Sequence, residues 1–268
     1  VNIPDQYAVM GNPIQHSLSP LVHQLFAAQT RQLLQYKPIL VEPENFAADV
    51  TQFQLSGGKG LNITAPFKLA AFKLVNQHTE RAAQCQSVNT IKFLADGSSM
   101  GDSTDGFGLI NDFKNRAILV KNRHILLFGA GGAIRSVLPA LLAQCPARVI
   151  LTNRSVEKAR DLVKEFSPSR LEMLDFTALK HIPFDLVING TSPGLSEWPG
   201  LTLNIHAVGY DLIYGKTITF FQQHMQNLGA KYIFNGLGML VEQAAEAFYF
   251  WRGIRPETKN VISSLSVL

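Results

Sequence analysis

The chain has 268 residues, 46% of them hydrophobic and 16% charged, with a net charge of +4. That suits one large or two ordinary globular domains with a substantial core and excludes a disordered or fibrous chain. The basic residues are scattered, and the densest group (Lys114, Arg116, Lys121, Arg123) lacks interleaved aromatics to stack bases, so nucleic-acid binding is not expected.

A strand-like run at 6–10 begins within a few residues of the N-terminus, with no basic stretch leading into an apolar one. No run approaches the roughly 18 apolar residues of a membrane span. Cys85 and Cys145 have no metal-ligand spacing, and the histidines are dispersed. A cytoplasmic protein with free thiols, no metal and no membrane partner is expected, as a monomer or homodimer.

Further strand-like runs at 35–41, 60–64 and 87–94 alternate with helix-like segments at 19–30, 44–54, 66–76 and 79–84. Ala95-Asp96-Gly97-Ser98 has turn composition and returns 99–102 against the preceding strand. The alternation predicts an α/β layer around a largely parallel sheet.

Three polar clusters stand at predicted strand ends, where α/β folds place ligands. In G-N-P-I-Q-H-S-L-S-P (11–20), an extended backbone points Ser17 and Ser19 the same way, suiting a small carboxylate; Ser19 as a helix cap is the alternative. In N-I-T-A-P-F-K (62–68), Asn62 and Thr64 face one side of a strand, Pro66 opens a helix and Lys68 stands in its first turn. A cation there opposes the macrodipole, so the position disfavours lysine unless something local rewards it. In G-D-S-T-D-G-F-G (101–108), capping explains one of Asp102 and Asp105 and need not explain both. A Lys–Asp pair can relay a proton to or from a substrate oxygen, and Lys68 with Asp105 is the pair flanked by such strand-end groups.

Residues 124–133, H-I-L-L-F-G-A-G-G-A, have the pattern of a buried strand feeding a glycine turn and a helix. Gly129 permits the turn, and Gly131 and Gly132 let the backbone approach a pyrophosphate at the helix N-terminus. Ile134 stands where a third glycine would complete G-x-G-x-x-G. About 20 residues on, where an acid would accept from a ribose 2′-hydroxyl, stand Asn153, Arg154 and Ser155. A guanidinium with two neutral donors suits a 2′-phosphate, so the expected cofactor is NADP.

Strands at 149–153, 185–189, 207–211 and 231–234 continue this unit, punctuated by Pro168-Ser169 and Pro183. The tail is mostly helical, with Leu240, Val241, Ala244, Ala245, Phe248 and Trp251 on one apolar face. We expect it to return to the first domain. That gives two α/β domains: a substrate domain at 1–103 plus 238–268, completed by the C-terminal helices, and a Rossmann-type NADP-binding domain at 104–237.

Taken together, G-N-P-I-x-H-S-x-S-P, N-I-T-A-P-F-K, S-V-N-T, S-T-D-G, G-A-G-G-A-x-R, T-N-R-S and G-L-G-M-L-V-x-Q-A resemble the shikimate dehydrogenase family, in family order over nearly the whole chain. The resemblance implies NADP-dependent reversible reduction of 3-dehydroshikimate to shikimate, in aromatic amino-acid (chorismate) biosynthesis. It implies that Ser17 and Ser19 bind the substrate carboxylate, that Asn62, Thr64, Asn89 and Gln243 hold ring hydroxyls, and that Lys68 and Asp105 are the catalytic pair. Gly129, Ala130, Gly131, Gly132 and Ala133 match the phosphate loop, and Asn153, Arg154 and Ser155 the 2′-phosphate pocket. Thr191, Ile213, Gly236 and Met239 would line the nicotinamide, and Tyr214 the substrate side. Two departures stand out: Ser103 in place of the usual Asn, and Gly190 in place of a small side chain. A quinate/shikimate dehydrogenase of broader specificity is the alternative, and a non-catalytic NADP-binding sensor a remote one.

Overall fold

The computed structural model describes residues 3–166, 169–191 and 198–267; Pro168 and the outermost residues of the 1–103 and 238–268 spans lie outside these. The chain forms two compact units, one holding residues up to Leu109 together with Leu240–Val267, the other Ile110–Met239.

In the first unit, strands β1 (Asp5–Gly11), β2 (Leu34–Leu40), β3 (Gly58–Ile63), β4 (Gln77–His78), β5 (Thr90–Phe93) and β6 (Ser99–Asp102) form one sheet in the order β2-β1-β3-β5-β6-β4. β1 is parallel to β2 and β3, while β3–β5 and β5–β6 are antiparallel. The return from β5 to β6 is the turn at 95–98, where Gly97 takes φ 85° and the Ser98 N–H donates to Asp96 Oδ1. Helices α1 (Ser19–Thr30), α2 (Phe46–Leu55), α3 (Lys68–Leu74) and α4 (Glu80–Cys85) connect the strands. Met10, Leu61, Ile63 and Ile91 of the sheet bury against Phe46, Val50 and Phe53 of α2 and Ala71 of α3.

Two elements span the changeovers between units, α5 (Asp105–Asn115) and α9 (Leu237–Arg252); a last helix, α10, covers Lys259–Ser266. The apolar stripe of α9 ends on the first sheet. Trp251 Nε1 donates to the Ile91 carbonyl at 2.9 Å, and its ring lies 4.7 Å from that of Tyr7. The fit is close enough that a Cβ at Gly60 would sit 2.5 Å from Trp251 Nε1.

The second unit holds β7 (His124–Phe128), β8 (Arg148–Thr152), β9 (Leu171–Met173), β10 (Pro183–Asn189), β11 (Thr202–Asp211) and β12 (Tyr232–Phe234), all parallel, in the order β12-β11-β10-β7-β8-β9. Helices α6 (Gly132–Leu142), α7 (Val156–Phe166) and α8 (Phe220–Asn227) complete it. Ile125–Phe128, Val149–Leu151 and Leu186–Ile188 are buried without alternation, as strands covered on both faces require. This is the doubly wound order. Its switch point falls between β7 and β10, and ligands of such folds bind outside the carboxyl ends of the strands there.

Some elements differ from the sequence expectation. α3 begins at Lys68 and not at Pro66, because the Phe67 N–H is taken by the Thr64 carbonyl in a turn. The strand expected over 87–94 shortens to β5, since the Val88 N–H turns to the Lys68 carbonyl. β4, β9, α7 and α8 fall outside the predicted elements.

Candidate active site

In the first unit, Lys68 opens α3 and Asp105 opens α5. Lys68 Nζ lies 2.7 Å from Asp105 Oδ2, with the side chains only 14% and 9% exposed. An acid at a helix N-terminus is favoured and a base is not. The charge-assisted bond to Asp105 rewards a lysine at the disfavoured position.

Beside this pair lies a network of neutral side chains. The Asn89 amide donates to Thr104 Oγ1 at 2.9 Å and to Gln243 Oε1 at 3.3 Å, and its Oδ1 accepts from the Thr104 N–H at 2.8 Å. Thr104 Oγ1 also donates to Gln243 Oε1 at 3.2 Å. Asn89, Thr104 and Asp105 are buried, and the bond to the Thr104 N–H sets the backbone one residue before the carboxylate. Asn62 joins from β3. Its amide donates to the Asn89 carbonyl and to Thr90 Oγ1, and its Oδ1 accepts from Tyr36 Oη at 2.8 Å. Asn62 is therefore engaged with protein on every side, unlike the part-buried Thr64 two residues on.

The serine pair departs from the expected geometry. Leu18 between them is in the right-handed helical region (φ −81°, ψ −8°), so the backbone is not extended there. Ser19 is already the first residue of α1 and makes no capping bond; the Ser17 hydroxyl accepts the Ser19 N–H at 3.3 Å. The capping reading of Ser19 is thus corrected: Leu18 occupies the cap position, without a side-chain cap, and the Ser17 hydroxyl takes the first N–H of the helix. Asp102 caps no helix either. It is a wholly buried carboxylate paired with Arg81.

In the second unit, β7 runs into Gly129, whose φ of 106° strains any other residue. The Gly129 N–H donates to the Thr152 carbonyl, and a Cβ at 129 would press on the Gly190 backbone at 3.0 Å. Next to Ala130, Gly131 is extended and a Cβ there would meet nothing within 4 Å. Gly132 and Ala133 start α6, whose first-turn N–H groups have no intrahelical partner. This open, positively polarised cradle fits a pyrophosphate. At the end of β8, the Asn153 amide donates to the Ser155 carbonyl at 2.9 Å, while Arg154 is exposed and engages no described residue.

The loops after β10 and β11 are tied by two buried polar residues that sequence reading missed. The Asn189 amide donates to Asp211 Oδ1 at 2.9 Å, while its Oδ1 accepts from the Thr191 N–H and hydroxyl. Asp211 also accepts from the Ile213 N–H at 3.1 Å and the Thr219 hydroxyl at 2.5 Å. Burial raises the Asp211 carboxyl above the usual range against the pull of those donors. Their signal was a polar residue closing an apolar strand, as in L-V-I-N and V-G-Y-D. The Gly236 N–H donates to the Ile213 carbonyl, and a Cβ at 236 would strike the Leu212 carbonyl. Met239 is buried at the start of α9, and Tyr214 is part-buried after β11. Thr191, Ile213 and Gly236 are thus linked through backbone and amide bonds.

Among the described residues no group of three His, Cys, Asp or Glu could hold a metal, and no helix is long and apolar enough to cross a membrane.

Three family models match the chain: the shikimate dehydrogenase substrate binding domain over residues 9–91, shikimate/quinate 5-dehydrogenase over 113–194, and the shikimate 5′-dehydrogenase C-terminal domain over 236–265. The shikimate dehydrogenase (NADP(+)) of Herminiimonas arsenicoxydans is 48% identical over 97% of both chains. The chain belongs to the shikimate dehydrogenase family. Among solved structures of similar fold, an Ael1 enzyme from Pseudomonas putida superposes with a TM-score of 0.88 at 42% identity, over 97% of this chain and 98% of that one. The shikimate dehydrogenase of Aquifex aeolicus does so with a TM-score of 0.85 at 30% identity, over 100% and 99%. Ile134, in place of the third glycine of G-x-G-x-x-G, and Gly190, the departure from the family pattern, prove to be neighbours, since a Cβ at Gly190 would lie 2.5 Å from Ile134 Cδ1.

Proposed function

We propose that this chain catalyses the NADP-dependent, reversible reduction of 3-dehydroshikimate to shikimate, with Lys68 and Asp105 as its proton-transfer pair. The observation that carries the reading is the 2.7 Å ion pair at the foot of two helices, beside a cluster of neutral hydrogen-bonding side chains. NADPH, when bound, supplies the hydride. Lys68 gives a proton to the carbonyl oxygen as it becomes a hydroxyl and takes it back in the oxidation direction; Asp105 holds the ammonium on station. Asn89, Thr64, Gln243 and Asn62 orient the ring hydroxyls, Asn62 by keeping Asn89 in place as much as by contact. Ser17 and Ser19 receive the carboxylate, and Tyr214 lines the substrate side. The first-turn amides of α6 hold the pyrophosphate, Arg154 with Asn153 and Ser155 the 2′-phosphate, and the Thr191, Ile213, Gly236 and Met239 segments the nicotinamide. In this reading the unit built on the mixed sheet, taken as 1–103 plus 238–268, is the substrate domain, and 104–237 is the NADP domain.

The test is NADPH oxidation with 3-dehydroshikimate as substrate, in wild type and Lys68→Ala. Loss of acid–base assistance lowers kcat by about 10²–10⁴-fold, with NADP affinity retained. A Lys68→Ala enzyme of near-normal kcat would remove the mechanism. A wild type inactive on this substrate would remove the assignment.

A further inference from the structure

Three residues before Asp105, Asp102 anchors a second charged cluster that the proposed chemistry does not use. Asp102 ends β6 with no exposed surface. Its Oδ1 accepts from Arg81 Nε at 2.6 Å, from the Thr79 hydroxyl at 2.6 Å and from the Ser103 N–H at 2.8 Å, while Oδ2 pairs with a terminal nitrogen of Arg81. The remaining terminal nitrogen of Arg81 reaches Glu246 of α9 at 2.8 Å, and the other Glu246 oxygen pairs with Arg255. Arg81 and Arg255 both lie over the Phe107 ring, at 5.6 and 5.1 Å.

Each arm of this cluster ends next to a proposed active-site residue. On one side, Asp102 fixes the Ser103 N–H and Asn89 fixes the Thr104 N–H. These are the two residues between β6 and Asp105, so the link that presents the carboxylate to Lys68 has both of its amides pinned. On the other side, Glu246 lies three residues beyond Gln243 on α9, one turn along the same face. A planar guanidinium with all its nitrogens engaged joins the two. Ion pairs between buried carboxylates and part-exposed arginines are poor sources of net stability, because desolvation and solvent screening cancel most of the attraction. What a bidentate guanidinium supplies that an apolar contact cannot is a fixed distance and angle between two carboxylates.

We infer that Arg81 is a positioning residue for the reaction, which sets Asp105 and Gln243 at their working separation by clamping Asp102 and Glu246. The inference rests on the functional reading above. Lysine keeps the charge of Arg81 but cannot span both carboxylates in one plane.

The test compares Arg81→Lys, Asp102→Asn and Glu246→Gln with wild type by steady-state kinetics, with folding checked by circular dichroism and thermal melting. Arg81→Lys is expected to fold, to keep its KM for NADP within about twofold, and to lose on the order of 10–100-fold in kcat/KM for shikimate, as a small misplacement of reacting groups does. The two arms separate: Asp102→Asn acts mainly on kcat through Asp105, and Glu246→Gln mainly on the KM for shikimate through Gln243. Full activity in Arg81→Lys would show that charge alone is needed and would overturn the positioning role. So would equal shifts of kcat and KM in both arm variants. Should Asp102→Asn fail to fold, Arg81→Lys and Glu246→Gln still decide the matter. A wild type without shikimate oxidation would sink the functional reading instead, which keeps the two failures apart.

Discussion

Ile134, which stands where the general G-x-G-x-x-G pattern has its third glycine, and Gly190, a departure from the family pattern, face each other, and one substitution tests whether they depend on each other. In Gly190→Ala, the new methyl would lie 2.5 Å from both Ile134 Cγ1 and Cδ1 and 3.3 Å from Leu212 Cδ1. Ordinary carbon contacts fall at about 3.5–4.0 Å, so something must move by about 1 Å or more. Little is free to move. Ile134 is wholly buried inside α6, where a β-branched side chain has one preferred rotamer. The Gly190 N–H is held by the Phe128 carbonyl at 2.8 Å, and the Gly190 backbone already limits what Gly129 can carry.

Overpacking of this kind costs about 1–3 kcal/mol. The displaced backbone adjoins Thr191 on one side and Gly129 on the other, so the KM for NADP should rise together with the loss of stability. Ile134→Ala removes both clashing carbons but opens a cavity, at about 2–5 kcal/mol. In that background Gly190→Ala partly fills the void and should be neutral or stabilising. The assay is a double-mutant cycle by urea unfolding, with the KM for NADP measured in parallel. Coupling of about 0.5–3 kcal/mol is expected for residues in contact. Strictly additive losses, or a Gly190→Ala protein of normal stability and normal KM, would refute the reasoning.

Two further outcomes follow from buried and exposed charge. Burial pulls the His23 imidazole down to about 3, against a weaker opposing pull from Asn62, in a ring stacked on Tyr36 at 4.3 Å. Its folded value lies below the unfolded 6.5, so the neutral ring's contribution is complete above pH 6.5 and drains as pH falls towards 3, at about 1.4 kcal/mol per pH unit; His23→Phe should flatten that limb of the pH–stability curve, and parallel curves for the two proteins between pH 7 and 5 would contradict it. Arg154 is exposed and forms no hydrogen bond or ion pair with a described residue, so Arg154→Ala should leave the melting temperature unchanged. It should raise the KM for NADP by about one to two orders of magnitude and spare NAD, the worth of one charged hydrogen bond; equal losses for both cofactors would show that it grips a part they share.

The sequence made the Lys68–Asp105 ion pair legible for a local reason. Lysine in the first turn of a helix is electrostatically out of place, and Asp105 across the sheet ends removes the anomaly. The glycine turn was legible because few residues other than glycine take φ near 106°. Contacts that close over long chain separations were not. Asp102 and Arg81 lie 21 residues apart and Asn89 and Gln243 lie 154 apart, and no periodicity links either pair. The Ser17–Ser19 geometry failed for a smaller reason, since a single residue, Leu18, leaves the extended region and turns the second hydroxyl into the first position of a helix. A two-residue strand such as β4 has too few side chains to show an alternation.

The charges around Asp105 in the first unit form two groups. One is the pair of Lys68 and Asp105, beside amides and hydroxyls that do not titrate in the range where proteins work. In the other, Asp102, Arg81, Glu246 and Arg255 satisfy one another. Hydrogen bonds from neutral groups can hold ring hydroxyls without exchanging protons with them, so in the proposed mechanism binding and proton transfer fall to different residues. In that mechanism the proton at the substrate oxygen comes from Lys68. The Arg81 cluster could then be altered to move Asp105 by fractions of an ångström without adding a titrating group beside the substrate, so that under the proposal geometry and protonation can be varied separately.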